Sequence, residues 1–433
     1  MLLGNVFQQL YNIVDTIIIG RYIGTEALAA AGASFPVIFV LVSLVIGITT
    51  GTTIIISQYY GAKDFVKVKR AIDTAFIFLF FASIALTILG LLFIEHIWQL
   101  IALPEHLVSD ATLYFSIYAA GLVLMFGYNA ISAVLRGLGD SKTPFYFLVI
   151  STMLNIVFDL VFVLVFGWGI AGVAFATVLA QGIAFGLSII YLNRYHKLIR
   201  VSYRGLVFDR EIFRNSLRIG IPTGMQHTFV ALGMMALLRI VNMFGADTIA
   251  AYTVAGRIDS FAAMPAMNFS LALSTFVGQN LGANKPERVR NGLRATLIMT
   301  TVVSLTVTAA AWLFGRHIMG VFTTDPVVIE IGYDYLVIVS SFYILFSAMF
   351  VTNGVLRGAG DTIVPMFITL FSLWVMRIPI SYFLSQRIGT DGIWWGIPIA
   401  WFFGFLLAFI YYRSGKWKSK AVVKYDVDKE EMK

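Results

Sequence analysis

Long apolar runs dominate this 433-residue sequence and restrict what it can fold into. A helix needs about 20 mostly apolar residues to cross a bilayer, and twelve such runs occur. Their approximate ranges are 1–20, 33–57, 71–94, 109–135, 144–166, 169–193, 215–244, 249–277, 295–315, 329–355, 364–386 and 392–412. Hydrophobic residues make up 59% of the chain and charged residues 12%, which is about half the charged share of a soluble domain. The sequence therefore predicts an all-α, polytopic membrane protein with twelve transmembrane helices.

The N-terminal stretch 1–20 is interpreted as the first spanning helix. It has neither a basic start nor a small-residue cleavage site, so a cleavable signal peptide is not expected. The chain opens on this helix without a polar leader, which suggests a missing or misplaced start. The sequence contains no cysteine, and this excludes disulfides and thiolate metal sites.

The basic residues predict the orientation, because cytoplasmic loops of membrane proteins are enriched in Lys and Arg. The loops after even-numbered helices contain seventeen of them, whereas those after odd-numbered helices contain only Arg21, Arg316 and Arg387. Both termini are thus predicted to be cytoplasmic, in a multi-pass protein of the plasma (inner) membrane. The net charge of +8 follows this distribution and needs no nucleic-acid partner to explain it.

An internal repeat relates the two halves of the chain at a constant offset of 221 positions. Segment 58–63 (QYYGAK) matches 279–284 (QNLGAN), and segment 135–140 (LRGLGD) matches 356–361 (LRGAGD). Each half holds six helices, so the halves run parallel and are related by a pseudo-two-fold axis along the membrane normal. The predicted organisation is an N-lobe at 1–193, a cytoplasmic linker at 194–214, a C-lobe at 215–412 and a mobile cytoplasmic tail at 413–433.

These motifs together resemble the multidrug and toxic compound extrusion (MATE) family. The residues that carry the resemblance are Tyr11–Thr16, Gln58, Gly61, the segments 135–140, 279–283 and 356–361, Asn155–Asp159 and 169–177. The resemblance covers nearly the whole chain. It implies a secondary antiporter, without enzymatic activity, that exports amphipathic, mostly cationic drugs or metabolites in exchange for H⁺ or Na⁺. It also implies that aspartates and their neighbours at the matching positions carry cation coupling.

Two carboxylates fall inside predicted spanning helices, where ionisable residues are costly and mostly functional. Asp15 lies five residues before the outer end of the first helix, and Asp159 lies seven before the outer end of the fifth. At 1.5 Å per residue both lie roughly 10 Å from the outer boundary. Thr177 reaches the same layer, and Tyr11 and Asn155 each lie one helical turn from an aspartate. These five residues are the candidate cation-coupling and substrate-binding residues, although spacing alone does not show that they face one another.

The chemistry of this layer fits two coupling ions. Paired carboxylates in a low-dielectric site resist simultaneous ionisation, so they can hold a proton. The neutral oxygens of Tyr11, Asn155 and Thr177 suit a hard cation such as Na⁺ equally well. No cofactor or resident metal is expected, only H⁺ or transient Na⁺ at Asp15 and Asp159. The alternative is a structural network in which Asp159 bonds Asn155 or nearby backbone.

The second lobe lacks this pattern. An offset of 221 carries Asp15 to Ala236 and Asp159 to Ile380, so a second-lobe cation site is not expected. Arg257, Asp259 and Arg377 remain candidates for such a site, and the favoured interpretation is that they form interhelical ion pairs. The two Leu-Arg-Gly-x-Gly-Asp segments are predicted to be turns with a left-handed glycine, in which the arginine pairs with the aspartate.

The remaining predictions concern ligands and competing functions. Methionine suits an adaptable cavity, so four residues are candidates for pocket lining: Met225, Gln226, Met264 and Met267. The expected partners are small cationic substrates and the lipid bilayer, and the protein is expected to be a monomer. The runner-up function is a lipid-linked saccharide flippase of related architecture, which would favour a strongly basic central cavity. An intramembrane enzyme would need a nucleophile–base or metal constellation, and a major-facilitator carrier would share only a superficial loop match at 61–65.

Overall fold

The computed structural model describes residues 2–195 and 205–424, and within them the chain is helical with no strand. It divides into two compact units, Met1–Ile221 and Pro222–Lys433. The division falls inside a helix, at an internal proline, whereas residues 196–204 of the predicted linker lie outside the described residues. The predicted lobe limits therefore stay a prediction.

The first unit is built from seven helices and the start of an eighth. They are α1 (Leu2–Ile18), α2 (Thr25–Gly61), α3 (Phe65–Leu100), α4 (Glu105–Ala120), α5 (Leu122–Gly137), α6 (Lys142–Leu160), α7 (Gly169–Tyr195) and α8 (Arg210–Asn242), with π-helical turns at Ile19–Ile23 and Val161–Val165. Within this unit α6 packs against both α1 and α7, and α4 packs against α2 and α7. Through these contacts α1, α4, α6 and α7 are neighbours within the unit.

The second unit repeats this order with small changes. It contains the rest of α8, then α9 (Ala246–Gly282), α10 (Pro286–Gly320), α11 (Pro326–Ser340), α12 (Tyr343–Gly358), α13 (Ile363–Leu370), α14 (Ile378–Ile388), α15 (Thr390–Arg413), a π-helical stretch Phe371–Arg377 and a 3₁₀ turn Lys416–Lys420. Its largest core joins residues of α8 to α12 and α15 around the buried ring of Trp394.

The predicted all-α polytopic architecture is confirmed. Within the described ranges nine helices are long and apolar enough to cross a membrane, or eleven when each of two bent pairs counts as one span. Of the twelve predicted spans, the one that falls short is α1, which has 17 residues before its π turn. Large apolar side chains such as Phe81 and Leu92 of α3 are more than half exposed, as expected for lipid-facing positions.

The predicted fourth and tenth helices are each bent. The axes of α4 and α5 differ by 49°, and those of α11 and α12 by 50°. The first bend lies at Gly121, where an added Cβ would come within 2.3 Å of the Val178 side chain on α7. This close approach explains why the chain uses glycine there, and the near-equal angles show that the bend belongs to the repeat.

Backbone geometry supports the repeat independently of side chains. Gly24 and Gly245, which are 221 positions apart, both have positive φ (129° and 91°) immediately before α2 and α9. Lys63 and Asn284, equally spaced, share φ values of 58° and 54° after those helices.

The two Leu-Arg-Gly-x-Gly-Asp segments form the expected turns but not the expected ion pairs. Gly139 and Gly360 take positive φ, 93° and 88°. Asp140 accepts hydrogen bonds from the backbone N–H groups of Lys142 and Thr143, both at 3.0 Å, and so caps α6. Asp361 accepts one from the Tyr411 hydroxyl at 2.6 Å. Pairing of each arginine with its aspartate is therefore wrong, because these carboxylates are occupied by helix-start N–H groups or a phenol.

The first part of the predicted tail is packed. Trp417 is buried, its ring stacks on Tyr412 with centroids 5.6 Å apart, and its Nε1 donates to the Tyr412 carbonyl at 2.9 Å. The expectation of a mobile tail is thus wrong for Lys416–Lys420, and residues 425–433 lie outside the described residues.

Candidate functional site

Three helices of the first unit bring the five predicted polar residues together. Tyr11 and Asp15 lie on α1, Asn155 and Asp159 on α6, and Thr177 on α7. One-turn spacing puts both members of each pair on one helix face, and packing of α6 against α1 and α7 turns those faces toward each other. Their role in coupling stays a prediction, but their proximity is a feature of the structure.

The two carboxyl groups lie close together. Asp159 is fully buried and Asp15 is half-buried, and a single atom of the Asn155 side-chain amide lies 3.0 Å from Asp15 Oδ1 and 3.2 Å from Asp159 Oδ2. Two ionised carboxylates repel at so short a separation, so a shared proton or a bound cation would stabilise the pair. Asp159 Oδ1 is also buried without a donor among the described residues, and an unmatched buried acceptor is costly.

Asn155 bridges the pair. It is almost completely buried, and its amide is best satisfied with Nδ2 toward the aspartates. In that orientation Nδ2 donates to Asp15 Oδ1 at 3.0 Å and to Asp159 Oδ2 at 3.2 Å. Asn155 therefore fixes the relative position of the two carboxyl groups and leaves their remaining oxygens for a proton or cation.

Thr177 and Tyr11 close the other side of the site. The Thr177 hydroxyl donates to the Val173 carbonyl at 3.1 Å, as is usual for threonine in a helix. Its single proton is then used, so the Tyr11 hydroxyl, 3.0 Å away, donates to Thr177 Oγ1. Tyr11 lies one turn from Asp15 on α1, so this bond links α1 and α7 near the level of the carboxyl pair.

Each aspartate is followed by a π-helical turn. Ile19–Ile23 begins four residues after Asp15, and Val161–Val165 begins two residues after Asp159. A π turn inserts an extra residue and rotates the helix beyond it, and such turns are frequent at functional sites. Both aspartates therefore lie just before the point at which the hydrogen bonding of their helix changes from α to π.

A small cavity adjoins the polar cluster. Its volume is about 20 Å³, enough for a single water molecule or small cation. Its lining includes Tyr11, Asn155 and Thr177 together with Gln8, Ser151, Thr152 and Gln181. Gln181 Oε1 is buried there without a hydrogen-bond partner among the described residues, so this lining still has an unmatched acceptor.

Sequence reasoning missed several residues of this region. Tyr114 and Tyr118 of α4 lie close enough to Asp15 to feel its charge, and Gln8 and Gln181 line the cavity. A signal was present, because Tyr114 and Tyr118 are one turn apart in a predicted spanning helix and Gln8 lies one turn from Tyr11.

The four residues proposed for pocket lining differ in how deeply they are buried. Met225 and Met267 are nearly half exposed, whereas Met264 is buried. Gln226 is engaged within the second unit, where its Nε2 donates to Thr369 Oγ1 at 2.6 Å. Their role as pocket lining stays a prediction.

The charged residues of the second unit do not form the expected ion pairs. Asp259 accepts a hydrogen bond from the Tyr343 hydroxyl at 2.7 Å, and Tyr335 lies nearby. Arg377 lies near enough to act on Asp259 electrostatically, but its Nε is buried without a partner in the described ranges. Arg257 is exposed, and none of the described ion pairs within 4.0 Å includes these residues. A phenol, which can donate without charge, occupies the carboxylate instead.

No group of three or more His, Cys, Asp or Glu side chains suited to a metal ion occurs in the described part of the chain. The cluster on α1, α6 and α7 is therefore a two-carboxylate site with neutral polar neighbours.

The comparisons with known proteins agree with this architecture. The MatE family model matches residues 1–161 and 222–383. The probable multidrug resistance protein YpnP of Bacillus subtilis (strain 168) is 34% identical over 419 residues, which cover 97% of this chain and 94% of that protein. The probable multidrug resistance protein YoeA of the same organism is 32% identical over 436 residues, covering 98% and 93%. A solved structure described as a crystal structure of MATE in the bent conformation superposes with a TM-score of 0.90 at 25% identity, covering 98% of this chain and 95% of that one. Because these matches span almost the whole sequence, the chain belongs to the MatE family of membrane transporters and is not an enzyme.

Proposed function

We propose that the protein is a secondary antiporter of the cell membrane that exports amphipathic, mostly cationic compounds in exchange for a cation. The coupling site in this proposal is the Asp15–Asp159 pair with Asn155, Thr177 and Tyr11. The distribution of basic residues supports a cytoplasmic location for both chain termini. The multidrug resistance names of YpnP and YoeA support the substrate class.

The observation that carries the proposal is the proximity of two carboxyl groups, both next to one atom of the Asn155 amide, inside a membrane protein. A proton or a metal cation would relieve the repulsion between them. Binding that cation changes the charge of the site by one unit, which suffices to favour one of two transport states over the other. A cationic substrate would be attracted to the same site when it is empty, and this gives exchange.

A proton is the coupling ion in this proposal. Two neighbouring carboxyl groups can share a proton without any further ligand. Na⁺ would need additional oxygen ligands, which Tyr11, Asn155 and Thr177 would have to supply.

Purified protein in liposomes tests the proposal. Efflux of a fluorescent organic cation is followed under a pH gradient alone and under a Na⁺ gradient alone. We expect the pH gradient to drive efflux and the Na⁺ gradient to have little effect. Efflux driven only by Na⁺ would reject the proton and keep the antiporter. Efflux driven by neither gradient would reject coupling and favour a facilitator or the lipid-linked saccharide flippase.

A further inference from the structure

The second unit contains a groove with a basic mouth between α10 and α15. It encloses about 440 Å³ and is lined by three arginines and by apolar and aromatic side chains. Arg290 and Arg294 lie in the first turns of α10, and Arg413 is the last residue of α15. The arginines thus lie at the same end of the two helices, at the membrane boundary that carries the basic loops.

The three arginines have no counter-charge in the described part of the protein. None of them lies within 4.0 Å of a carboxylate among those residues, and the described lining of the groove contains no acidic residue. Arg290 and Arg294 are four residues apart on one helix face, where like charges repel. Three cations gathered around one groove without an acidic neighbour point to an anion supplied from outside the chain.

The matching place in the first unit is built differently. The offset of 221 carries Arg290 and Arg294 to Lys69 and Asp73, which form an ion pair with each other. Arg413 corresponds to Leu192, which is fully buried. One copy of the repeat therefore neutralises its charge internally, whereas the other keeps three cations around an open groove.

The shape of the groove indicates what the anion is attached to. Below the arginines, Leu297, Ile298 and Val302 continue along the same face of α10, and Phe409 faces them from α15. Ile298 and Val302 are more than half exposed, as expected for side chains that contact lipid. A free phosphate would leave these apolar walls uncovered, whereas an acyl chain would cover them.

We propose that this groove binds an anionic phospholipid of the adjacent leaflet. Its phosphate is held by Arg290, Arg294 and Arg413, and one acyl chain lies along Leu297, Ile298 and Val302. Basic pockets between transmembrane helices are suited to such headgroups, because each arginine adds a charge-assisted hydrogen bond. The site is independent of the carboxylate cluster, which lies in the first unit.

Native mass spectrometry of the purified protein tests this assignment. The protein is titrated with phosphatidylglycerol, with phosphatidylcholine of the same acyl chains, and with inorganic phosphate. We expect retention of phosphatidylglycerol over phosphatidylcholine and no adduct with inorganic phosphate. The combined substitution Arg290→Gln, Arg294→Gln, Arg413→Gln should lower phosphatidylglycerol affinity at least tenfold, on the basis of roughly a fivefold contribution per basic residue.

Arg288→Gln is the matched control, because Arg288 is exposed on α10 two residues from Arg290 and so faces away from the groove. It should retain wild-type binding. Equal retention of both lipids by the wild-type protein, or an equal loss in the control and the combined variant, would overturn the site. A phosphate adduct that phosphatidylglycerol does not displace would assign the arginines to a free anion instead. If the combined variant fails to fold, Arg413→Gln alone carries the test, since it leaves α10 unchanged.

Discussion

The two units share one backbone plan but differ in where their buried polar groups lie. In the first unit the five site residues are Tyr11, Asp15, Asn155, Asp159 and Thr177. The positions 221 residues later are Leu232, Ala236, Met376, Ile380 and Pro398, so every polar side chain of the site is replaced by an apolar one. The repeated turns and bends persist without the site, which shows that the scaffold does not depend on the carboxylates for its fold.

The second unit has its own buried acid at a different place. Asp259 on α9 accepts a hydrogen bond from Tyr343, and its counterpart in the first unit is the buried apolar residue Ile38. Tyr335 and Tyr114 occupy the same repeat position, and each lies near the buried acid of its own unit. The comparison indicates that a tyrosine position was kept while the carboxylates diverged. The comparison also distinguishes two kinds of buried acid. The Asp15–Asp159 pair needs a cation, whereas the single carboxylate of Asp259 is satisfied by a phenol and a nearby arginine.

The largest expected effect is loss of the pair itself. Asp159→Asn or Asp15→Asn replaces one acid of the pair by a neutral amide, so the site no longer needs a cation. Gradient-driven efflux should therefore fall to the level of protein-free liposomes. Efflux of a fluorescent cation under a pH gradient is the measurement, and surface expression and the melting temperature show whether the variant folds. Unimpaired efflux in both folded variants would remove the site from the mechanism.

The next effect concerns the bridge between the aspartates. Asn155→Leu removes both hydrogen bonds to the carboxyl groups and should lower pH-driven efflux roughly a hundredfold, since each bond to a charged group contributes about 1.5–3 kcal/mol and two at the lower figure amount to about 3 kcal/mol. Asn12→Leu is the matched control, because Asn12 is exposed on α1 and its only described side-chain contact is at 3.4 Å to Gln9. Equal losses in the two variants would mean that the effect is not specific to the bridge.

Much of the fold could be predicted from the sequence because long apolar runs leave few alternatives in a membrane. The bend at Gly121 could not, since glycine is common in spanning helices and its need here arises from the approach of Val178. The ion pairs predicted at Asp140 and Asp361 were wrong because sequence proximity to an arginine says nothing about competing donors, which are backbone N–H groups at Asp140 and the Tyr411 hydroxyl at Asp361.

The sequence could predict that the site residues share one layer, but it could not predict that they lie next to one another. Counting residues from the helix ends places Asp15, Asp159 and Thr177 in one layer, whereas their contact depends on α6 packing between α1 and α7. Tyr114 and Tyr118 were missed because their one-turn spacing indicates a shared helix face but does not show that a neighbouring helix brings a carboxylate to that face.

A smaller effect is expected at the edge of the site. Tyr11→Phe keeps the ring and removes the hydroxyl that joins Thr177 to the layer of Asp15. One neutral hydrogen bond contributes about 1 kcal/mol, so efflux under a pH gradient should fall roughly fivefold. Tyr22→Phe, at an exposed residue of the π turn after α1, is the control and should leave the rate unchanged. A loss as complete as that of Asp159→Asn would make Tyr11 a direct participant in cation binding.

The smallest effect on coupling is expected at Asp259, and it decides how far the two units differ. Asp259→Asn keeps an oxygen that can accept the hydrogen bond from Tyr343, so the local network survives the loss of charge. If Asp159 couples transport and Asp259 serves structure, pH-driven efflux of this variant should stay within about twofold of wild type, a change no larger than one weak hydrogen bond. Both variants are measured side by side in the same liposomes, because each replaces one buried carboxyl by an amide of equal size. Loss of coupling in Asp259→Asn with a normal melting temperature would show that the second unit holds a cation site of its own, and the divergence between the repeats would then be a relocation of function instead of its loss.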